Sequence, residues 1–319
     1  MVNASQPLIF MHVPKTGGMS MFAGLCREYG TNIADMYNMT SANVAPAAEV
    51  IQNPNTSIYC GHFSFGLHEW FTRPCYYAAV LREPVSRVLS LYFYIVQYRP
   101  VIHRIAQTKK LSLRELFSTG NAPDYYEDFL AWIEGEEKLD LFLDCHSAEI
   151  DNGMVRRFSG FGLKEEPCPD AALEKAKENI ERHFSVVGVL EQYPKTLELF
   201  RAAFEWPWLQ ELRVNVGPQA RKKEKPEVAD HLKKRIKTMN MLDTAFYEWV
   251  VERFEKQCDN PTSPILNEGG ARTDFEHLML WKAVGRSPLR EAAMQSKGMP
   301  QRPPRRMPAR GQFITPPIA

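Results

Sequence analysis

An apolar run, Leu8 to Val13, ends at Pro14-Lys15-Thr16-Gly17-Gly18 and passes directly into a helix-like segment over 18–29. This order constrains the fold more than any other feature of the chain, because it describes a strand entering a helix through a tight glycine turn. Backbone N–H groups at a helix start lack intrahelical partners, and the helix dipole adds partial positive charge there. Glycine lets the backbone approach a ligand closely. Lys15 supplies a full positive charge, and Thr16 and Ser20 supply hydroxyls. The segment reads as an anion cradle suited to phosphate. It matches neither familiar nucleotide loop. The Walker A pattern places its lysine after the last glycine, whereas Lys15 precedes Gly17 and Gly18, and GxGxxG is absent.

The same layout recurs downstream. Tyr76 to Leu81 has the pattern of a buried strand, and Arg82 stands at its carboxyl end, the side on which open α/β sheets bind ligands. Pro84 suits the first turn of a helix over 84–98, where its missing N–H costs nothing. Ser90 follows Arg82 by about two helical turns. Arg82 offers a planar fork that can grip a phosphate through two bonds.

Further strands are expected at 57–61 and 184–190, and helices at 127–134, 148–158, 170–183 and 194–205. A single long amphipathic helix is expected over 227–257, with Leu232, Ile236, Met239, Leu242, Phe246, Val250 and Phe254 on its core-facing stripe. Strands alternating with helices predict an α/β fold built on a parallel sheet. With 44% hydrophobic residues and six tryptophans, the chain can bury a sizeable core.

Charge is unevenly spread. From Arg286 onward seven basic residues face Glu291 alone, so the rest of the chain is net acidic. An acidic body argues against general attraction to nucleic acid, and an anionic ligand must be held by local cradles. The same tail is rich in proline and is expected to be disordered from about residue 286. The cysteines Cys26, Cys60, Cys75, Cys145, Cys168 and Cys258 form no CxxC pair and read mostly as small buried hydrophobes. No stretch of ~18 uninterrupted apolar residues predicts a membrane span. The start, Met-Val-Asn-Ala-Ser-Gln, lacks the basic and apolar regions of a signal peptide, which predicts a cytoplasmic protein.

Pro14-Lys-Thr-Gly-Gly-Met-Ser20 resembles the 5′-phosphosulfate loop of sulfotransferases that use 3′-phosphoadenosine-5′-phosphosulfate (PAPS). Arg82-Glu-Pro-Val-Ser-Arg-Val-Leu-Ser90 resembles their 3′-phosphate motif. Asp151-Asn-Gly-Met-Val-Arg-Arg-Phe-Ser-Gly160 and Phe184-Ser-Val-Val-Gly-Val-Leu-Glu-Gln-Tyr193 are similar to the branch containing the heparan sulfate 2-O- and 6-O-sulfotransferases and their soluble bacterial relatives. The likeness spans roughly residues 7–220. One departure is Met19, where the family usually has serine or threonine.

The resemblance implies a P-loop-like three-layer sandwich, a central parallel sheet flanked by helices. It implies a sulfotransferase domain over 1–262, with 263–319 as a C-terminal extension. PAPS would be the co-substrate, held by Lys15, Thr16, Gly17, Gly18, Met19, Ser20, Arg82 and Ser90, with no metal. The acceptor would be a carbohydrate or another hydroxyl compound. Leu212-Arg-Val-Asn-Val-Gly-Pro218 with Lys222 and Lys223 resembles the loop that closes over the nucleotide.

Such a transfer needs a base for the acceptor proton, a task that suits histidine. His62 follows the strand at 57–61 and so stands on the ligand side of the sheet, where the resemblance also puts a catalytic histidine. His68 is the second candidate. His12, inside the first strand, reads as a core or supporting histidine. Asp151, Asn152, Arg156 and Arg157 either line the acceptor side or form a polar helix face. No DxD pair or carboxylate cluster accompanies the cradle, which separates this reading from a P-loop nucleotide phosphotransferase with its Mg²⁺ ligands. A catalytically inactive nucleotide- or carbohydrate-binding module is the other alternative, and Met19 is the feature that favours it.

Overall fold

Leu8-Ile-Phe-Met11 forms the central strand β1, with every residue buried. A strand buried on both faces belongs in the middle of a covered parallel sheet, where continuous apolar runs replace alternation. In the computed structural model, which describes residues 2–36, 49–93, 139–140, 143, 148–162, 167–211 and 227–273, β1 is flanked by β3 (Ile58–Gly61) and β4 (Cys75–Leu81). The sheet order is β2-β3-β1-β4-β5, all parallel, with β2 at Ile33–Asp35 and β5 at Phe184–Val189. A short sixth strand, β6 (Leu266–Asn267), pairs antiparallel with the start of β4.

Helices α1 (Gly18–Tyr29), α2 (Pro84–Tyr92), α3 (Gly153–Phe158), α4 (Ala171–His183), α5 (Tyr193–Phe204), α6 (Asp230–Met239) and α7 (Met241–Asp259) flank the sheet. This is the α/β sandwich with a central, mostly parallel sheet that the sequence predicts. Strands β2 and β6 were not expected. The expected helix at 127–134, the cradle-closing segment at 212–223 and the tail from about 286 lie outside the described residues.

The single helix expected over 227–257 is two helices. It breaks at Asn240, whose backbone leaves helical geometry at φ −121° and ψ 39°. The reason is tertiary. The Asn240 side chain is fully buried, donates to the carbonyl oxygens of Ile150 and Ile236, and accepts the Asn152 N–H at 3.1 Å. Similarly, the helix expected from residue 148 starts only at Gly153, because Asn152 stands in the left-handed region at φ 51°.

Asn152 and Asp243 then cap each other's helices. The Asp243 carboxylate accepts the N–H groups of Met154 and Val155 at the start of α3. The Asn152 amide oxygen accepts those of Leu242 and Asp243 at the start of α7. These contacts satisfy donors that a helix start leaves unpaired. Arg87 of α2 joins the group, donating to the Glu149 carbonyl at 2.8 Å and lying 3.6 Å from Asp243. Arg157 pairs with Glu149 at 2.6 Å, and Arg156 with Asp151 at 2.8 Å. Asn152, Arg156 and Arg157 are buried: Asn152 ties α3 to α7, Arg157 shares Glu149 with Arg87 of α2, and Arg156 closes back on Asp151 within its own segment.

The C-terminal segment also packs on the body. Asn267 donates to the carbonyl oxygens of Cys75 and His183. Residues 270–272 donate backbone hydrogen bonds to His68, Phe71 and Glu69, and Arg272 pairs with Glu69 and stacks over Trp70 at 4.4 Å. This strap braces the 67–73 stretch that follows β3. The described cysteines are free thiols, with Cys60 and Cys75 buried.

Candidate active site

In a parallel sheet the carboxyl ends of all strands open onto one edge. The residues after β1, β3, β4 and β5 therefore meet there, and these are the 12–18 loop, His62, Arg82 and the Leu190–Gln192 turn.

The first loop is bent by two left-handed residues, Lys15 at φ 71° and Gly17 at φ 79°. Alternation of this kind turns successive N–H groups inward and makes an anion-binding concavity. Gly17 precedes α1 and offers its start no side-chain cap, and no acidic residue occupies the first turn, so the amino end of α1 stays open to an anion. At Gly18 a Cβ would collide with the ring of His12. Thr16 is fully buried and its hydroxyl donates to the Val13 carbonyl at 2.9 Å, so that proton is spent within the loop. The Ser20 N–H returns to the Gly17 carbonyl at 3.0 Å.

Arg82 reaches across from β4 and donates to the Lys15 carbonyl at 3.2 Å. Burial, and then the neighbouring Arg82 charge, bring Lys15 down to about 8. Burial lowers Arg82 as well, against the pull of Glu191 and Glu83. The amino end of α2 differs from that of α1. The Glu83 side chain accepts the N–H groups of Val85 and Ser86, so this helix start is already capped by a carboxylate. Ser90 is half-buried on α2, and no hydrogen bond joins it to Arg82 among the described residues.

His62 is half-buried beyond β3, and its Nδ1 lies 2.7 Å from the His12 carbonyl oxygen. A carbonyl only accepts, so Nδ1 carries the proton and Nε2 holds the lone pair. The His12 ring packs beside it at 4.6 Å between centroids. Burial first, then His62, Arg157 and Lys15, hold His12 well below the usual imidazole range, so it is neutral at neutral pH. His68 belongs elsewhere. The Tyr77 hydroxyl accepts the His68 N–H at 2.9 Å and donates to its Nδ1 at 3.2 Å. Tyr77 pairs with Phe184 at the edge where β4 and β5 begin, opposite the cradle.

The sequence did not single out two residues that stand at this edge. Glu191 accepts the Glu83 N–H at 3.1 Å and lies 4.0 Å from Arg82 Nε. Tyr247 of α7 donates to the other Glu191 oxygen at 2.7 Å. Glu191 was visible within the 184–193 stretch, but no spacing connects it to Tyr247. No cluster of three or more His, Cys, Asp or Glu side chains able to hold a metal occurs among the described residues.

The galactose-3-O-sulfotransferase family model matches residues 38–272. The chain belongs to that family. The match begins after the 14–20 loop and takes in β3, Arg82, Glu191 and the C-terminal strap. Among individual proteins, the chain is similar to heparan-sulfate 6-O-sulfotransferase 2 of Gallus gallus, 26% identical over 196 residues, covering 57% of this chain and 45% of that protein. The Homo sapiens form is 23% identical over 287 residues, covering 77% and 44%. Galactose-3-O-sulfotransferase 3 of Mus musculus is 24% identical over 221 residues, covering 69% and 47%. The chain thus spans less than half the length of these relatives. No helix among the described residues is long and apolar enough to cross a membrane.

Proposed function

We propose that this family member transfers a sulfuryl group from PAPS to a hydroxyl of a carbohydrate acceptor. The observation that carries the reading is the bond from Arg82 to the Lys15 carbonyl, which brings the two cationic residues to one loop, with the Lys15 charge reaching the His12 ring that packs on His62. The relatives' names, which specify heparan sulfate and galactose, support a sugar acceptor.

The residues present fit such a donor. Gly17 and Gly18 leave room for Leu190 and the His12 ring to pack against the loop, the open start of α1 suits the 5′-phosphosulfate, and Met19 and Ser20 continue into the first turn of α1. Arg82, with Ser90 on the next turns of α2, suits the 3′-phosphate. When bound, PAPS supplies a sulfuryl group on a phosphate leaving group. Lys15, brought down to about 8, is mostly charged at neutral pH and would offset the negative charge that grows on the departing phosphate. A fixed cation there is worth on the order of 3 kcal/mol. His62 takes the acceptor proton on Nε2, while the bond from Nδ1 to the His12 carbonyl holds the ring and its tautomer. Lysine and backbone donors supply the needed charge, so the transfer runs without a metal.

The test is label transfer from radiolabelled PAPS to galactose-terminated oligosaccharides and heparan-type polysaccharides in excess EDTA. Label is expected on at least one acceptor. Absence of transfer together with absence of 3′,5′-ADP binding would overturn the reading, and a requirement for Mg²⁺ would favour phosphoryl transfer.

A further inference from the structure

The Arg82 guanidinium faces a carboxylate that does not close on it. A formed arginine–carboxylate fork has N···O distances of about 2.7–2.9 Å. Glu191 stops at 4.0 Å from Arg82 Nε, with the two side chains 18% and 39% exposed. Both Glu191 oxygens are taken elsewhere. Oε1 accepts the Glu83 N–H at 3.1 Å, and Oε2 accepts the Tyr247 hydroxyl at 2.7 Å. The Glu83 carboxylate is likewise spent, on Val85 and Ser86. Burial, Glu191 and Glu83 all push the Tyr247 hydroxyl far above its usual range, so it stays protonated and remains a donor.

We propose that Tyr247 is a positioning residue of the donor site, holding Glu191 back from Arg82 so that the guanidinium stays open to the 3′-phosphate. The proposal rests on the reading of Arg82 as the 3′-phosphate ligand. Removing the Tyr247 hydroxyl frees Oε2, and a turn of the Glu191 carboxylate then closes the ion pair on Arg82. A phosphate must afterwards displace that carboxylate. Tyr247 lies 56 residues from Glu191, so α7 controls a site built by β4 and β5.

The experiment is calorimetry with 3′,5′-ADP and 5′-AMP on the full chain and on Tyr247→Phe, Glu191→Gln and the double variant. Tyr247→Phe is expected to weaken 3′,5′-ADP by about two- to tenfold, the scale of one lost hydrogen bond, and to leave 5′-AMP unchanged. Glu191→Gln binds 3′,5′-ADP at least as tightly as the parent, and the double variant regains parental affinity, because the competing charge is gone. A residue that merely supports the fold would not be rescued in this way. Normal affinity in Tyr247→Phe, equal loss of both nucleotides, or failure of the double variant to recover overturns the proposal. A parent chain that binds the two nucleotides equally removes the 3′-phosphate role of Arg82, and the proposal falls with it.

Discussion

Arg82 and Lys15, 67 residues apart, are joined by a hydrogen bond from the guanidinium to the Lys15 carbonyl at 3.2 Å. Lys15 is a non-glycine residue in the left-handed region, a conformation that costs roughly 1–2 kcal/mol. Arg82 therefore does two things. It pins the strained residue that shapes the neighbouring cradle, and in the proposed function it also presents its charge to the 3′-phosphate.

This double role gives the first prediction. Arg82→Ala should weaken 3′,5′-ADP by about ten- to a hundredfold, the worth of a charge-assisted two-bond contact. It should also weaken 5′-AMP by a smaller factor, because the 14–20 loop relaxes. Calorimetry on both nucleotides checks it, and unchanged 5′-AMP binding would show that the loop holds its shape without Arg82.

His62→Ala should lower kcat by about 10²–10⁴-fold while 3′,5′-ADP binding stays near parental, since the base serves the acceptor. Added imidazole should restore part of the rate. Near-normal turnover in the variant would remove His62 from the role. Because His68 stands at the opposite edge of the sheet against Tyr77, His68→Ala should act on melting temperature more than on rate.

Donor affinity should fall as pH rises from 7 to 9. The folded-state value of Lys15 is about 8, so the ammonium is present below that pH and lost above it. A bound phosphate favours the charged form, and proton uptake should accompany binding at pH 9. The measurement is 3′,5′-ADP titration across this window in buffers of different ionisation enthalpy. In Lys15→Arg, whose charge persists, the decline should vanish; a parent affinity that is flat with pH counts against the assignment.

A chain ending after residue 285 should keep its melting temperature, whereas one ending after 262 should lose several degrees. The shorter chain lacks Asn267, which bonds Cys75 and His183, and lacks the backbone and Arg272 contacts to residues 68–71. Equal melting temperatures would mean that the strap adds nothing to stability.

What could be read from the sequence was local. The two strand–loop–helix units, with Lys15 before Gly17 and Arg82 before Pro84, announce themselves because one turn's geometry is written in adjacent residues. His62 follows from the same logic, a strand of four residues with a histidine at its end. The break at Asn240 was hidden because it interrupts an intact apolar stripe and is made by bonds to Ile150 and Asn152, some 90 residues away. The bond between Glu191 and Tyr247 is hidden for the same reason, since 56 residues separate them. Strand β6 has two residues and leaves too little pattern to detect. Arg156 and Arg157 are buried against Asp151 and Glu149, and the Arg157 charge also reaches His12 at the carboxyl edge of the sheet, neither of which any spacing in the sequence announces.

The exchange of caps between Asn152 and Asp243 bears on how this chain can be recombined with its relatives. A crossover that brings in α3 from one parent and α7 from another would strip each helix start of the side chain that completes it, and would leave Arg87 facing an unmatched partner. Segments 148–158 and 240–259 are therefore best exchanged together, although more than 80 residues separate them. Chimaeras meant to transplant acceptor preference should place their breakpoints outside both, or carry the two together.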